Sequence, residues 1–269
     1  MAVIRYLLCL CAAMLVAGCA TTARNDRTWL PYLAHTAQVA RAPDGFAVTP
    51  VIDWSYNADG PTQQSRTIAA FAFRDLRNVW FVLEPQPGSN LAAHTFLLFE
   101  FAGDRLLGLT IEARREADEA YSVWRGLWNA YELSYVWASA RDLLTRRAVY
   151  LRHETFVYPL ALTDEQELTL LSRLLERTRR LEAEPRFYNT LFSNCTNELA
   201  KATSLPWHHS FVFTGASDDH LFRRGLIPGA SFEDAHARAD LTDFIRTLND
   251  RPPAEFDAAL LAELRRRQD

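Results

Sequence analysis

Residues 187–200 read Phe, Tyr, Asn, Thr, Leu, Phe, Ser, Asn, Cys, Thr, Asn, Glu, Leu, Ala, which sets Cys195 directly behind Ser193 and Asn194. Ser and Asn start helices because their short side chains accept hydrogen bonds from the first free N–H groups, and residues 198–202 continue as helix. A thiol in the first turn meets orphan N–H groups and the positive end of the helix dipole. Both favour thiolate, the form that attacks carbonyl carbon. The alternative is a cysteine packed as a small hydrophobe, against which its polar neighbours Ser193, Asn194, Thr196 and Asn197 argue.

The other three cysteines are Cys9, Cys11 and Cys19. Residues 1–18 carry one charge, Arg5, around an apolar core at 6–16, and end Leu15, Val16, Ala17, Gly18 before Cys19. That ending resembles a bacterial lipobox, which makes 1–18 a lipoprotein signal peptide and Cys19 the lipidation site. The apolar run is short for a membrane span of about 20 residues. Ala20 in place of Asp points to the periplasmic face of the outer membrane. Cys9 and Cys11 then leave with the leader, Cys19 takes the lipid, and Cys195 is the sole remaining thiol. In an oxidising envelope compartment such a thiol must be buried or used.

A thiol nucleophile needs a base within hydrogen-bond reach and a third group to orient that base. Seven histidines are available. His94 is preferred because it opens a strand just after the Pro- and Gly-containing break at 84–90. His208 and His209 follow the cysteine helix too closely, and His153 reads as a mid-strand residue. Apart from adjacent His208 and His209 there is no Cys/His spacing that suits a metal, so neither metal nor cofactor is expected.

The formal net charge is −4, and the basic residues are nearly all Arg, with Lys201 the single Lys. A mildly acidic chain lacks the footprint of a nucleic-acid binder. Hydrophobic periodicity predicts a helix over 28–41, a strand over 46–54 placed at an edge by Pro50, and a polar loop over 57–65. Strands follow at 66–73 and 78–83. A hairpin of 94–101 and 106–114 turns at 102–105, the clearest in the chain. Residues 121–130 read as helix, 131–138 as strand, 141–147 as short helix and 149–158 as strand. Thr163 and Gln166 form a capping box that opens an amphipathic helix, with Leu168, Leu171, Leu174, Leu175 and Leu181 inward. Pro185 ends that helix and delivers the chain to Cys195. The remainder, including two last helices around Pro252 and Pro253, looks peripheral. The class is α+β.

The runs at 94–101, 109–116 and 188–197 together resemble the domain-of-unknown-function family DUF4105, the periplasmic domain of Lnb-type lipoprotein N-acyltransferases. The resemblance spans about 29–227. It implies a permuted papain-like (NlpC/P60-type) fold, an antiparallel sheet packed on a cysteine-bearing helix, with peripheral helices. Lecithin–retinol acyltransferase shares that order, the histidine strand preceding the cysteine helix. The implied division is 1–18 signal peptide, 19–27 lipidated tether, 28–230 thiol-enzyme domain and 231–269 C-terminal helical extension. Carried over, Cys195 matches the nucleophile, His94 the base and Glu112 the orienting acid; Tyr188, Asn189 and Asn194 are candidates for the border of the oxyanion site, with packing the equal alternative for Tyr188. Register decides Glu112. A three-residue turn at 102–104 sets His94 opposite Glu112 on one face, whereas a two- or four-residue turn points Glu112 away. In that case Glu112 pairs with Arg114 or Arg141.

The resemblance implies a membrane-tethered thiol acyltransferase or acylhydrolase. It would take an acyl chain such as palmitate from phospholipid and pass it to an amine, such as a lipoprotein N-terminus, or to water. Its partners would be a phospholipid or acylated substrate, and the membrane through the lipid anchor; no nucleic acid is expected. The full-length acyltransferases continue into a multi-span membrane region, where this sequence runs into two short helices. One alternative is a cysteine amidase or peptidase acting on peptidoglycan or peptides. Another is a non-catalytic envelope lipoprotein, with His94 more than about 7 Å from a packed Cys195.

Overall fold

The computed structural model describes residues 22–268 apart from Ser204. The expected leader and its lipidated Cys19 lie outside the described residues.

Eight strands form one sheet, in the order β1-β2-β7-β6-β5-β4-β8 with β3 added on β2. They are β1 (Gln38–Ala42), β2 (Gly45–Asn57), β3 (Gly60–Ala72), β4 (Leu76–Pro85), β5 (Ala93–Phe101), β6 (Arg105–Arg114), β7 (Glu132–Ala138) and β8 (Phe156–Pro159). All pairings are antiparallel except a single parallel contact between β2 and β7, at Ile52 and Ala138. The helices are α1 (Ala140–Thr145), α2 (Asp164–Ala183), α3 (Cys195–Ala202), α4 (Ser217–Arg223), α5 (Phe232–Ala239), α6 (Thr242–Thr247) and α7 (Pro253–Arg266).

Strand side chains alternate between faces, so the sheet has two apolar surfaces and needs two covers. On one face Phe81, Leu97, Phe99, Leu109 and Ile111 pack with Leu171, Leu174 and Leu175 of α2 and Leu199 of α3. On the other, Trp80, Val82, Phe96 and Leu98 pack with Leu143 and Leu144 of α1 and with Phe256, Leu260 and Leu261 of α7. The C-terminal helices are therefore half of the core, and the expectation that they are peripheral is corrected.

The 94–114 hairpin has the three-residue turn: Phe101 pairs with Arg105, and the ladder runs back to Phe96 opposite Thr110. Gly103 and Asp104 adopt left-handed φ values of 79° and 52°, which suits this turn. The capping box at Thr163 is formed, with Gln166 returning its side chain to the Thr163 backbone. Leu168, expected inward on α2, is 40% exposed, and Leu170 takes its place.

Several expected elements differ. Residues 28–41 hold a 3-10 turn at Pro31–Leu33 and strand β1, because pairing with β2 outweighs a helical spacing of apolar residues. Residues 57–65 are the tip of a long hairpin, where Asn57 accepts from the N–H groups of Asp59 and Gly60 and tightens a two-residue turn. Pro50 sits at the bulge between Val48 and Val51 inside β2, not on an edge strand. Residues 121–130 contain only a 3-10 turn at Arg125–Leu127. After α1 the chain continues in a π-helical turn (Arg146–Leu151), so only 156–158 of the expected 149–158 strand is strand, which runs on to Pro159.

Candidate functional site

The site forms at one end of the sheet, where β4 stops, β5 begins, β6 stops and β7 begins. β5 pairs with β4 as far as Ala93, and β6 pairs with β7 as far as Arg114. Between themselves, however, β5 and β6 part after the Phe96–Thr110 pair. That splay frees the Thr95 backbone, and the first residue of α3 fills the opening. Thr95 Oγ1 lies 2.8 Å from Thr196 Oγ1, which is 3.8 Å from the Cys195 sulfur, and the Thr95 backbone and hydroxyl both favour the charged thiol.

Asn194 is the N-cap of α3, its Oδ1 accepting from the Asn197 N–H at 2.8 Å. Its Nδ2 donates to Thr190 O and Phe211 O, both at 2.8 Å. With every polar atom of its side chain used in this way, Asn194 seats the helix. The side chain of Asn189 is used likewise. Its Oδ1 accepts from Leu191 and Phe192 N–H and its Nδ2 donates to Leu127 O, which binds one loop to another. Tyr188 does stand by the thiol: burial, then the nearby Cys195 charge, push its hydroxyl well above the usual range. Its hydroxyl lies 3.3 Å from that of Tyr121.

His94 is near enough to Cys195 that each favours the other's charged form. Its ring nitrogen Nε2 is 2.6 Å from Thr110 Oγ1 and 3.3 Å from Glu112 Oε1. Thr110 spends its own proton on Glu112 at 2.9 Å and so accepts from His94 Nε2–H. Nδ1 is then the nitrogen left for the thiol. Glu112 therefore meets the three-residue-turn expectation, and its rival partners are engaged elsewhere: Arg114 with Asn25, Leu33 and Ala34, and Arg141 with Asp53.

Behind Glu112 lies a buried ion cluster. Arg147 reaches Glu112 Oε1 at 3.3 Å and Glu84 Oε2 at 3.0 Å, and His153 Nδ1 contacts Glu84 Oε1 at 2.5 Å. His153 is thus a partner of Glu84 in the turn after the π-helical segment, not a mid-strand residue. Glu84 pairs directly across from His94 on β4.

These neighbours set the charges. Burial opposes a charged His94, yet Glu112 and then Cys195 outweigh it and raise the ring to about 10. Burial likewise opposes a thiolate, but the His94 charge and hydrogen bond, followed by Thr95, bring Cys195 down to about 7. Burial would raise Glu112, and His94 with Arg147 instead holds it far below the usual carboxylate range. Near neutral pH the arrangement is a thiolate–imidazolium pair backed by a carboxylate.

A second acid, Glu198, lies on α3 itself and is fully buried. It receives Ser193 Oγ, Lys201 Nζ and Tyr135 Oη, each at 2.7 Å, and also Arg177 and Arg186. Burial opposes its charge, and Lys201 leads the contacts that lower it to about 2. It locks α3 to β7 and to the chain before Cys195.

Thr95, Thr110, Glu84, Arg147 and Glu198 were not expected from sequence. Strand alternation does place Thr110 on the face of Glu112, two residues away, so that signal was there. No local pattern joins Arg147 to Glu112, 35 residues apart. The His208 ring stacks on His220 and lies tilted against His209, and no group of three or more His, Cys, Asp or Glu among the described residues could hold a metal ion. No helix of the described residues is long and apolar enough to cross a membrane.

Neither the curated proteins nor the solved structures contain a match to this chain. The family model of the Lnb N-terminal periplasmic domain matches residues 63–212, which hold Glu84, His94, Glu112, Arg147 and Cys195. With more than half of its length matched, this chain belongs to the family of Lnb N-terminal periplasmic domains.

Proposed function

We propose that the chain is an envelope thiol acyltransferase or acylhydrolase, with a permuted papain-like arrangement of histidine strand and cysteine helix. The observation that carries this reading is the row His94, Thr110 and Glu112, with His94 Nε2 held at 2.6 Å and 3.3 Å, set where the His94 charge favours the Cys195 thiolate. In the first half-reaction the Cys195 thiolate adds to the carbonyl carbon of a phospholipid acyl ester. The negative oxygen is met by the Cys195 backbone N–H, which as the first residue of α3 has no intrahelical acceptor, and by the Tyr188 hydroxyl. Collapse breaks the ester C–O bond, and the departing lysolipid oxygen takes the proton from His94. In the second half-reaction an amine or water adds to the thioester, gives its proton to His94 and releases the thiolate. Glu112 does not change protonation; it holds the ring and stabilises its charge.

A phospholipid labelled in its acyl chain should leave a hydroxylamine-sensitive adduct on Cys195, located by peptide mass. Cys195→Ala should abolish it. A label that persists in that variant, or that never forms on the wild type, would remove the mechanism.

A further inference from the structure

We infer that the end of the sheet carrying Cys195 is itself a membrane-docking face, which seats an aromatic rim in the headgroup region of an anionic phospholipid bilayer. This deepens the proposed function by stating how the site meets its substrate.

The rim is made of loops that leave this sheet end and are tied to the cysteine turn. Trp124 and Trp128 are 77% and 80% exposed, Phe192 and Trp207 both 66%, and Leu91 63%. Such exposure for the bulkiest apolar side chains leaves a large hydration cost unrelieved, and it is concentrated around one site. The loops are not loose. Thr190 donates its hydroxyl to Val123 O and its N–H to Gly126 O, and a side chain at Gly126 would collide with Thr190. Asn197 Nδ2 donates to Leu191 O and Phe211 O, and Gly215 N–H donates to Leu91 O. The exposed aromatics are thus displayed on a fixed frame.

Two features select a lipid surface over another protein. Trp carries an apolar ring and one N–H, the combination that favours the boundary between headgroups and acyl chains. Beside the rim runs a groove of about 660 Å³ whose charged lining is Arg41, Arg173, Arg177, Arg180, Arg186 and Lys201 against Glu176 and Glu184. It joins the rim where Lys201 Nζ meets Phe192 O. Arg180 pairs with Glu176, and Arg186 and Lys201 with Glu198, yet their side chains are 72%, 48% and 42% exposed and the six cations outnumber Glu176, Glu184 and Glu198, which leaves the groove positive although the protein as a whole is acidic. Apolar anchors flanked by cations are the pattern that binds anionic bilayers. The apolar cavity that reaches the cysteine helix at Thr196 and Leu199 holds only about 50 Å³, too little for an acyl chain. A docked face solves this, since the tails stay in the bilayer while the ester rises to Cys195. The first described residues run to the same place, with Thr28 and Leu30 hydrogen-bonded to Ala117 and Arg115 at the end of β6.

The full-length chain carrying Cys195→Ala would be reconstituted in vesicles of phosphatidylcholine and phosphatidylglycerol with bromine on the upper acyl carbons. Emission from Trp124 and Trp128, read as the difference from Trp124→Phe/Trp128→Phe, should fall about twofold relative to unbrominated vesicles. The exposed control Ile68→Ser on β3 should quench like its parent. Replacing phosphatidylglycerol by phosphatidylcholine should relieve the quenching. Unquenched rim tryptophans would overturn the proposal, as would a concentration-dependent loss of their exposure without lipid, which would mean a second copy covers them. Quenching indifferent to lipid charge would overturn the part assigned to the groove. The chemistry is judged separately, by acylation of wild-type Cys195 with a water-soluble short-chain thioester. If that fails while quenching persists, the docking stands and the enzyme reading falls.

Discussion

The two faces of the sheet contribute opposite halves of one constellation. The face covered by α2 and α3 supplies Cys195, seated by Asn194, Glu198 and the freed backbone of Thr95. The face covered by α1 and α7 supplies the polar row Glu84, His94, Thr110 and Glu112, closed from behind by Arg147. They meet only at the sheet end, through the gap between β5 and β6. Each face holds a carboxylate with several donors, Glu198 fully buried and Glu112 24% exposed, and the contrast between them is informative. Glu198 is consumed by five donors. Glu112 divides itself between Thr110, Arg147 and His94, so any change in it is felt at the ring. Such an acid is structural or functional according to what else its partners touch.

That contrast makes four mutations informative. Cys195→Ala should lower acyl transfer on the order of 10^4-fold or more while leaving thermal unfolding nearly unchanged, since a nucleophile is lost and only a small side chain is removed. Arg147→Met strands Glu84 and Glu112 without their shared cation. It should cost roughly 3–5 kcal/mol in urea unfolding and also depress thiol reactivity. Glu112→Gln should lower kcat by about 100-fold, because the largest contribution favouring charged His94 is gone, with a much smaller effect on stability. Glu198→Gln should do the reverse, destabilising by roughly 1–3 kcal/mol while kcat stays within a few fold. Should Glu198→Gln prove the more damaging to kcat, the division between the faces would be wrong.

The pH profile carries the same distinction. Below about 7 Cys195 regains its proton, and above about 10 His94 loses its proton, so kcat/KM should rise through the first value and fall through the second. Glu112→Gln removes charge that holds the His94 proton, so its alkaline limb should move to lower pH. Glu198→Gln should leave both limbs in place.

The parts of this site legible in sequence were those set by local rules. Asn194 before Cys195 marked a helix start, and strand alternation tied the side of Glu112 to the length of the turn at 102–104, which the sequence left open and the Phe101–Arg105 pair decides. The same local rules failed where tertiary pairing intervened. Residues 28–41 have helical spacing but are drawn into β1 and a 3-10 turn by the edge of β2, and His153 left its expected strand for the turn that meets Glu84. Arg147 was silent, because its role depends on two acids from β4 and β6 that only the folded sheet brings together. Asn189 and Asn194 were expected at the border of the oxyanion site. Their amides are in fact spent on the backbone groups that a tight turn into a short helix leaves unpaired.

The most direct test of the thiolate–imidazolium pair is the pH dependence of iodoacetamide alkylation at Cys195, followed by peptide mass in the wild type and in His94→Ala. The wild-type rate should rise with a midpoint near 7. In His94→Ala the midpoint should climb to the ordinary thiol value of about 8.5 or above. A wild-type midpoint already at that ordinary value, and unmoved by His94→Ala, would contradict the pairing on which the proposed chemistry rests.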